Sequence, residues 1–367
     1  MKQNLYPALI LDALRTVRYP GTGKNIVENG MLADDIRIDG QKVSFTIVFD
    51  RATDPFLKSV VKAAETAVKT FASEDAEVSV ATEVRQAAPA PKPKALPQVK
   101  NIIGISSGKG GVGKSTVAAN LAVALAREGY KVGLLDADIF GPSVPKMFGI
   151  EGAEVYMHEV DGRNLIIPIE KYGVKLLSIG LLVDPASAVV WRGAMASNAL
   201  KQLIEQADWG ELDYFLIDMP PGTSDIHLTL VQTLGISGAV IVSTPQEVAL
   251  ADARKGLAMF TDSKINVPVL GIVENMAWFT PEAHPDERYY IFGNGGAQRL
   301  AEEYKVPLLA CIPLVAAVGQ RSDNGEPIAL GDSIAAHAFM HLAHEVIDAV
   351  DRRNRELPPT TKVELRH

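Results

Sequence analysis

The 367-residue chain contains a single cysteine, Cys311, which excludes an intrachain disulfide and any cysteine pair for a metal, and which fits a reducing compartment. No apolar run approaches the roughly 18 to 20 residues that a membrane-crossing helix needs. A basic excess is also missing: 36 Lys and Arg against 44 Asp and Glu leave a net charge of −8, which argues against nucleic acid as a partner. The apolar run near the N-terminus is broken by Asp12 and followed by no small-residue cleavage site, so no signal peptide and no membrane partner are expected, and the expected location is cytoplasmic. No internal repeat is present. With 47% hydrophobic and 22% charged residues, the composition is that of a globular protein large enough for more than one domain.

What the sequence does hold is concentrated in Gly108-Lys109-Gly110-Gly111-Val112-Gly113-Lys114-Ser115-Thr116. This stretch follows the apolar run Asn101 to Ile105 and precedes the helical pattern Val117 to Ala126. A buried strand, a glycine loop and a helix in that order form a phosphate cradle: glycines let backbone N–H groups turn toward anionic oxygens, and the helix N-terminus adds its positive end. All nine residues are therefore candidate contacts for ATP. Lys114 is placed to meet the β- and γ-phosphates, and the Ser115 hydroxyl a magnesium ion. Lys109 supplies a second positive charge that the local cradle does not require.

Four segments are expected. Residues 1 to about 83 read as a small α+β docking or regulatory domain, with a helix over Leu5–Val17, a hairpin around Asp39-Gly40, a helix from Pro55 to Phe71 and a closing strand over Val78–Ala81. Residues 84–98, rich in proline and alanine, read as an extended linker. From 99 to 355 strands and helices alternate, which predicts an α/β P-loop domain with a mostly parallel, doubly wound sheet. Residues 356–367 form a tail whose prolines, after a helix over Ile334–Val350, prevent a basic membrane anchor.

Carboxylates end two of the predicted strands. Asp218 closes Tyr214–Asp218, where it is suited to hold magnesium with Ser115, and runs into Met219-Pro220-Pro221-Gly222. Asp136 and Asp138 end the strand that begins at Val132. Such sheets bind ligands beyond the carboxyl ends of their strands, where all three fall.

The loop with its extra lysine resembles the deviant Walker A loop of the MinD, ParA and nitrogenase iron protein superfamily. That resemblance implies a nucleotide-sandwich homodimer in which Lys109 reaches the partner's phosphates. It also implies that Asp138 orients the attacking water, so Lys109, Lys114 and Asp138 are the candidate catalytic set. For Asp136 a place in the magnesium shell and a structural role both stand. Asn275, within Val273-Glu274-Asn275-Met276, resembles the asparagine that reads adenine, and Pro313 a residue lining the base pocket. With Asp138-Ile139-Phe140-Gly141-Pro142-Ser143 and Trp191-Arg192-Gly193 added, residues 99–350 resemble the Mrp/ApbC branch, ATPases that carry iron–sulfur clusters. The first 83 residues look like the small domain that often accompanies iron–sulfur assembly factors, except that Thr53-Asp54-Pro55 stands where many members have a cysteine before the proline.

That branch usually has Cys-x-x-Cys after the Asn-Met step, giving a dimer four thiolates for a bridging cluster. Here the two places are Pro281 and His284. His284 with Glu282 or Asp286 offers other metal donors, but without an intact ligand spacing. The expected function is ATP hydrolysis in support of iron–sulfur protein maturation, with iron–sulfur clients or assembly proteins as partners and cluster carriage by the usual ligands in question. A ParA- or MinD-like positioning switch and a non-hydrolysing binding module are the alternatives.

Overall fold

The computed structural model describes residues 5–33, 35–49, 51, 53–84, 95–139, 141–160, 162–182, 193–281, 284, 287–360 and 362–363. Most of the expected linker, Phe140, Trp191, Arg192, Glu282, Asp286 and the last four residues lie outside these. The chain divides into two compact units, Met1–Lys92 and Pro93–His367.

In the first unit, strands β1 (Arg37–Asp39) and β2 (Lys42–Phe49) form the hairpin, with Gly40 at φ +61° supplying the left-handed turn residue. The helix Leu57–Phe71 then crosses over to β3 (Glu77–Val84), which lies parallel to β2. Helix Pro7–Leu14 is shorter than the periodicity suggests, although Ile10, Ala13, Leu14 and Val17 are all buried. They pack with Phe45, Ile47, Val60, Ala64 and Val68, so the apolar stripe of each helix and the inner face of β2 share one core.

The second unit is built on β4 (Val99–Ser106), β5 (Val132–Asp136), β6 (Met157–Val160), β7 (Arg163–Ile166), β8 (Ile169–Lys171), β9 (Val174–Ser178), β10 (Leu212–Asp218), β11 (Gly238–Ser243), β12 (Val269–Phe279) and β13 (Leu308–Leu314). Eight of these form one sheet in the order β13-β12-β11-β4-β10-β5-β9-β8, parallel except for β8 at the edge; β6 and β7 pair separately as an antiparallel ribbon. Side chains alternate between two cores. Ile103 and Ile105 of β4 with Leu216 of β10 face helices Lys114–Arg127 and Ile334–Glu356. Ile102, Phe215 and Ile217 face the layer containing Leu200, Leu230, Leu257 and Leu300. This is the three-layer α/β architecture expected from the alternating pattern.

Other details also differ from the sequence reading. Strands β8 and β9 were not legible there, being short and partly polar at the sheet edge. The last helix continues to Glu356, six residues past Val350, and stops where Pro358 can no longer donate. Arg353 near its end is buried and donates from Nη2 to Pro358 O (2.7 Å) and Thr360 Oγ1 (2.6 Å), so the residues after the helix are held against it.

Strand order places the site. Helix Lys114–Arg127 carries the chain from β4 to β5, and β10 inserts between them, so β4, β10 and β5 end side by side. In register, Asp218 lies level with Ile105 of β4 and Asp136 of β5. No helix among the described residues is long and apolar enough to cross a membrane.

Candidate nucleotide site

The glycine loop turns through two left-handed positions, Gly111 and Gly113, both at φ +82°, and Gly113 directly precedes the helix Lys114–Arg127. An added Cβ on Gly113 would fall 2.2 Å from Asn275 Nδ2, so both the backbone angle and the neighbour demand glycine. Gly108 is fixed differently: its Cβ would lie 2.1 Å from the backbone of Asp252, because the loop rests on helix Glu247–Thr261. Cβ atoms built on Gly110 and Gly111 meet nothing within 4 Å, which leaves open space on the side where phosphates would enter.

Beneath the loop the side chains converge. Lys114, 6% exposed, sets Nζ 2.6 Å from Asp218 Oδ1, 3.2 Å from Ser115 Oγ and 3.7 Å from Asp138 Oδ2. The structure thus gathers Lys114, Ser115, Asp138 and Asp218 from three segments of sequence. Burial pushes the Asp218 carboxyl up from the ordinary carboxylate range, and the Lys114 charge pulls against that push. Its second oxygen, Oδ2, is buried and has no partner among the described residues. A buried anionic oxygen of this kind beside a hydroxyl is the hard donor chemistry that suits magnesium.

Asp136 is occupied elsewhere. Its Oδ1 accepts from Asp138 N (3.1 Å), and its Oδ2 accepts from Val144 N (3.2 Å) and Ser178 Oγ (3.0 Å). Burial first, and the charge of Asp218 second, push its carboxyl up to about 7. Of the two roles left open by the sequence, these bonds describe the structural one: Asp136 fixes the turn that presents Asp138.

The loop after Asp218 is tied to its neighbours through the backbone. Ala137 N donates to Asp218 O (2.9 Å), Met219 N to Ile105 O (3.0 Å) and Gly222 N to Ser107 O (2.8 Å). The Pro220–Gly222 turn is thereby bonded directly to the residue preceding the glycine loop. Lys109 is half-buried, and none of its polar side-chain atoms makes an ion pair among the described residues. Thr116, at the start of the helix, gives its carbonyl to Asn120 Nδ2 (2.9 Å).

The adenine candidates lie on the far side of the loop. Asn275 is buried, and its Nδ2 donates to Val112 O (2.9 Å), so the amide here braces the phosphate loop. It stands opposite Ile312 on β13, next to buried Pro313, and Met276 after it adopts φ +56° where the strand pairing becomes irregular. Cys311, on β13, is half-buried; burial, and then the charge of Glu274, push its thiol up to about 11. No cluster of three or more His, Cys, Asp or Glu suited to a metal exists among the described residues, and His284 Nδ1 lies 3.5 Å from Glu287 Oε1.

Two residues escaped the sequence reading. Glu274, buried, accepts from Ala297 N (2.8 Å) at the start of helix Gly296–Tyr304. His227, buried in the first turn of helix Asp225–Thr233, accepts at Nδ1 from Ser224 N (3.1 Å) in a reciprocal capping arrangement. The Ser-x-x-His spacing is the signal that could have exposed it.

Residues 98–347 match the family model described as NUBPL iron-transfer P-loop NTPase, and residues 7–80 match the iron–sulfur cluster assembly protein family. The iron–sulfur cluster carrier protein of Synechocystis is 46% identical over 93% of this chain and 97% of its own. The mouse iron–sulfur cluster transfer protein NUBPL is 46% identical over 70% of this chain and 80% of its own. Among solved structures, a nucleotide-binding protein from Archaeoglobus fulgidus in complex with ADP is 40% identical, with 65% of this chain and 91% of that one covered at a TM-score of 0.56.

Proposed function

Since the chain belongs to the NUBPL iron-transfer P-loop NTPase family, we propose that it is a magnesium-dependent cytoplasmic ATPase that works as a homodimer to assist iron–sulfur protein maturation. The observation that carries this reading is the group beneath the glycine loop: one buried lysine, one hydroxyl and two carboxylates around a space open to phosphates.

ATP would enter with its β- and γ-phosphates over Gly110 to Lys114, drawing Lys114 Nζ from Asp218 to the phosphate oxygens. Magnesium held by Ser115 and the released Asp218 carboxylate would neutralise charge on those phosphates. Asp138, fixed through Asp136, then orients the attacking water. Phosphoryl transfer depends on such positioning and charge stabilisation, so this small set suffices. Asn275 and Pro313 would border the adenine, with the amide exchanging or sharing its bond to Val112 O. The Gly222–Ser107 link would pass the phosphate state to the surfaces that meet client or assembly proteins.

Lys109 has the charge and the freedom to act across the dimer. Lys109→Ala is expected to bind ATP but fail to dimerise with it or turn it over, and mixing with Asp138→Ala should restore part of the activity. Normal ATP-dependent dimerisation and turnover by Lys109→Ala alone would reduce the residue to a local loop charge.

The cluster is cargo, and the residues present fit it poorly. Proline at 281 cannot ligate iron, the His284 imidazole and nearby carboxylates are harder than the thiolates clusters favour, and the Cys311 thiol is held protonated by burial. The purified protein is therefore expected to take up no stable [4Fe–4S] cluster on anaerobic reconstitution, as read from the visible spectrum. Its ATPase rate should not respond to Cys311→Ser. A stoichiometric cluster lost on mutating Cys311 or His284 overturns this and makes the chain a direct carrier.

A further inference from the structure

Three polar residues stand in register across adjacent strands at the carboxyl edge of the sheet: Asp218 on β10 lies level with Asp136 on β5, and Asp136 with Ser178 on β9. All three are buried. Residues at one level of neighbouring parallel strands point to the same face, so Asp136 is flanked by a carboxylate on one side and a hydroxyl on the other. The Lys114 ammonium beside Asp218 is the cation to which a buried carboxylate in this row is drawn, yet Asp136 makes no ion pair with it.

What holds Asp136 away is visible in its bonds. Ser178 Oγ accepts from Gly180 N (3.0 Å), which leaves the hydroxyl proton to point at Asp136 Oδ2 (3.0 Å). The same Oδ2 accepts from Val144 N (3.2 Å), and Oδ1 accepts from Asp138 N (3.1 Å). One carboxylate therefore ties down both ends of the segment from Asp138 to Val144. Of its three donors only Ser178 offers a side chain, and it comes from another strand. Gly180 brings that strand's end close: a Cβ there would lie 2.9 Å from the Pro142 ring, so the turn after β9 abuts the same segment.

We propose that Ser178 is a positioning residue for ATP hydrolysis: it turns the Asp136 carboxylate toward β9, where that group clamps both ends of the Asp138–Val144 segment and stays clear of the Lys114–Asp218 pair. This rests on the ATPase reading above, in which Asp138 orients the attacking water. Without the hydroxyl, Asp136 keeps its two backbone donors but loses the bond that opposes its attraction to Lys114. Asp138 then leaves the strand from an origin that is no longer fixed, and small misplacements of a positioned group are costly to catalysis. The glycine loop and Lys114, which meet the phosphates, make no bond to Ser178, so ATP affinity does not depend on it.

Ser178→Ala removes the donor and Ser178→Thr keeps it. At saturating Mg-ATP, Ser178→Ala is expected to lose about tenfold or more in kcat with ATP affinity unchanged, and Ser178→Thr to retain most of kcat. Amide exchange without nucleotide reads the clamp itself. The Asp138 and Val144 N–H groups should exchange faster in Ser178→Ala than in wild type, while Leu216 N–H in the middle of the sheet does not. Wild-type kcat in Ser178→Ala, a kcat loss matched by an equal loss of affinity, or the same kcat loss in Ser178→Thr overturns the proposal. Should Ser178→Ala fail to fold, Asp136→Asn, whose amide offers one acceptor oxygen to three donors, carries the same expectations for kcat and exchange. A wild-type protein that binds but does not hydrolyse ATP would refute the ATPase reading instead. The exchange comparison then decides the clamp: faster exchange confined to Asp138 and Val144 supports it, and exchange that is unchanged, or raised equally at Leu216, rejects it.

Discussion

Lys114→Ala is expected to abolish tight Mg-ATP binding. Lys114 is the buried cation under the glycine loop, and its Nζ already lies within 4 Å of both carboxylates that face the phosphates. Removing it takes away the principal charge on the β- and γ-phosphates and leaves Asp138 and Asp218 to repel them. Charge-assisted bonds of this type contribute about 1.5–3 kcal/mol each, so a loss of roughly a hundredfold or more in affinity is expected by titration calorimetry. The ligand-free protein should also suffer, because stripping one partner from a buried pair costs about 3–5 kcal/mol unless the remaining group neutralises. Asp218 can neutralise by taking a proton. Its folded pKa would then rise further above its unfolded value of about 3.9, so its stability contribution is complete below that value and is lost as pH rises through the folded pKa. The Tm deficit of Lys114→Ala relative to wild type should therefore widen with increasing pH. Wild-type affinity in a folded variant would refute the phosphate-loop assignment.

Asp138→Ala is expected to do the opposite: keep ATP and lose turnover. Asp138 touches Lys114 only at 3.7 Å, whereas Asp218 sits at 2.6 Å, so the affinity depends little on it. Its backbone remains tied to Asp136, which preserves the turn in the variant. Without the carboxylate the attacking water loses its orienting acceptor, and phosphate release at saturating ATP should fall by roughly a hundredfold or more. Unchanged turnover would move that role to another group.

Much of the site could be read directly from the chain because the glycine loop is a local device. Residues 108–115 must carry glycine where the backbone turns left-handed, and those residues are adjacent in sequence. The same holds for Asp218, which directly follows the unbroken apolar run Tyr214–Ile217. What escaped depends on partners brought from elsewhere. Asp136 and Asp138 look alike on paper, and only the bonds from Asp138 N, from Val144 N and from Ser178, the last on a strand too short and polar to recognise, reveal that the first is committed to holding the second. Asn275 carries an amide suited to adenine, but its bond to Val112 O depends on β12 and β4 being separated by β11 alone. His227 reads as an ordinary helix residue until its burial and its Ser224 bond are seen together.

The place of β10 between β4 and β5 sets the order in which the protein can be made. Strand β4 and its helix leave the ribosome early, and β5 follows and can pair with β9 on its outer edge, yet β4 and the inner edge of β5 find their shared neighbour only when Leu212–Asp218 has been synthesised. At about 5–20 residues per second, the nascent chain spends several seconds with β4 unpaired and the inner edge of β5 open. Folding of the nucleotide domain is therefore gated by the emergence of β10. Phe215 and Leu216, which seal the two cores from that strand, bear on the yield of folded chains as well as on final stability, and this interval is when a chaperone would be engaged.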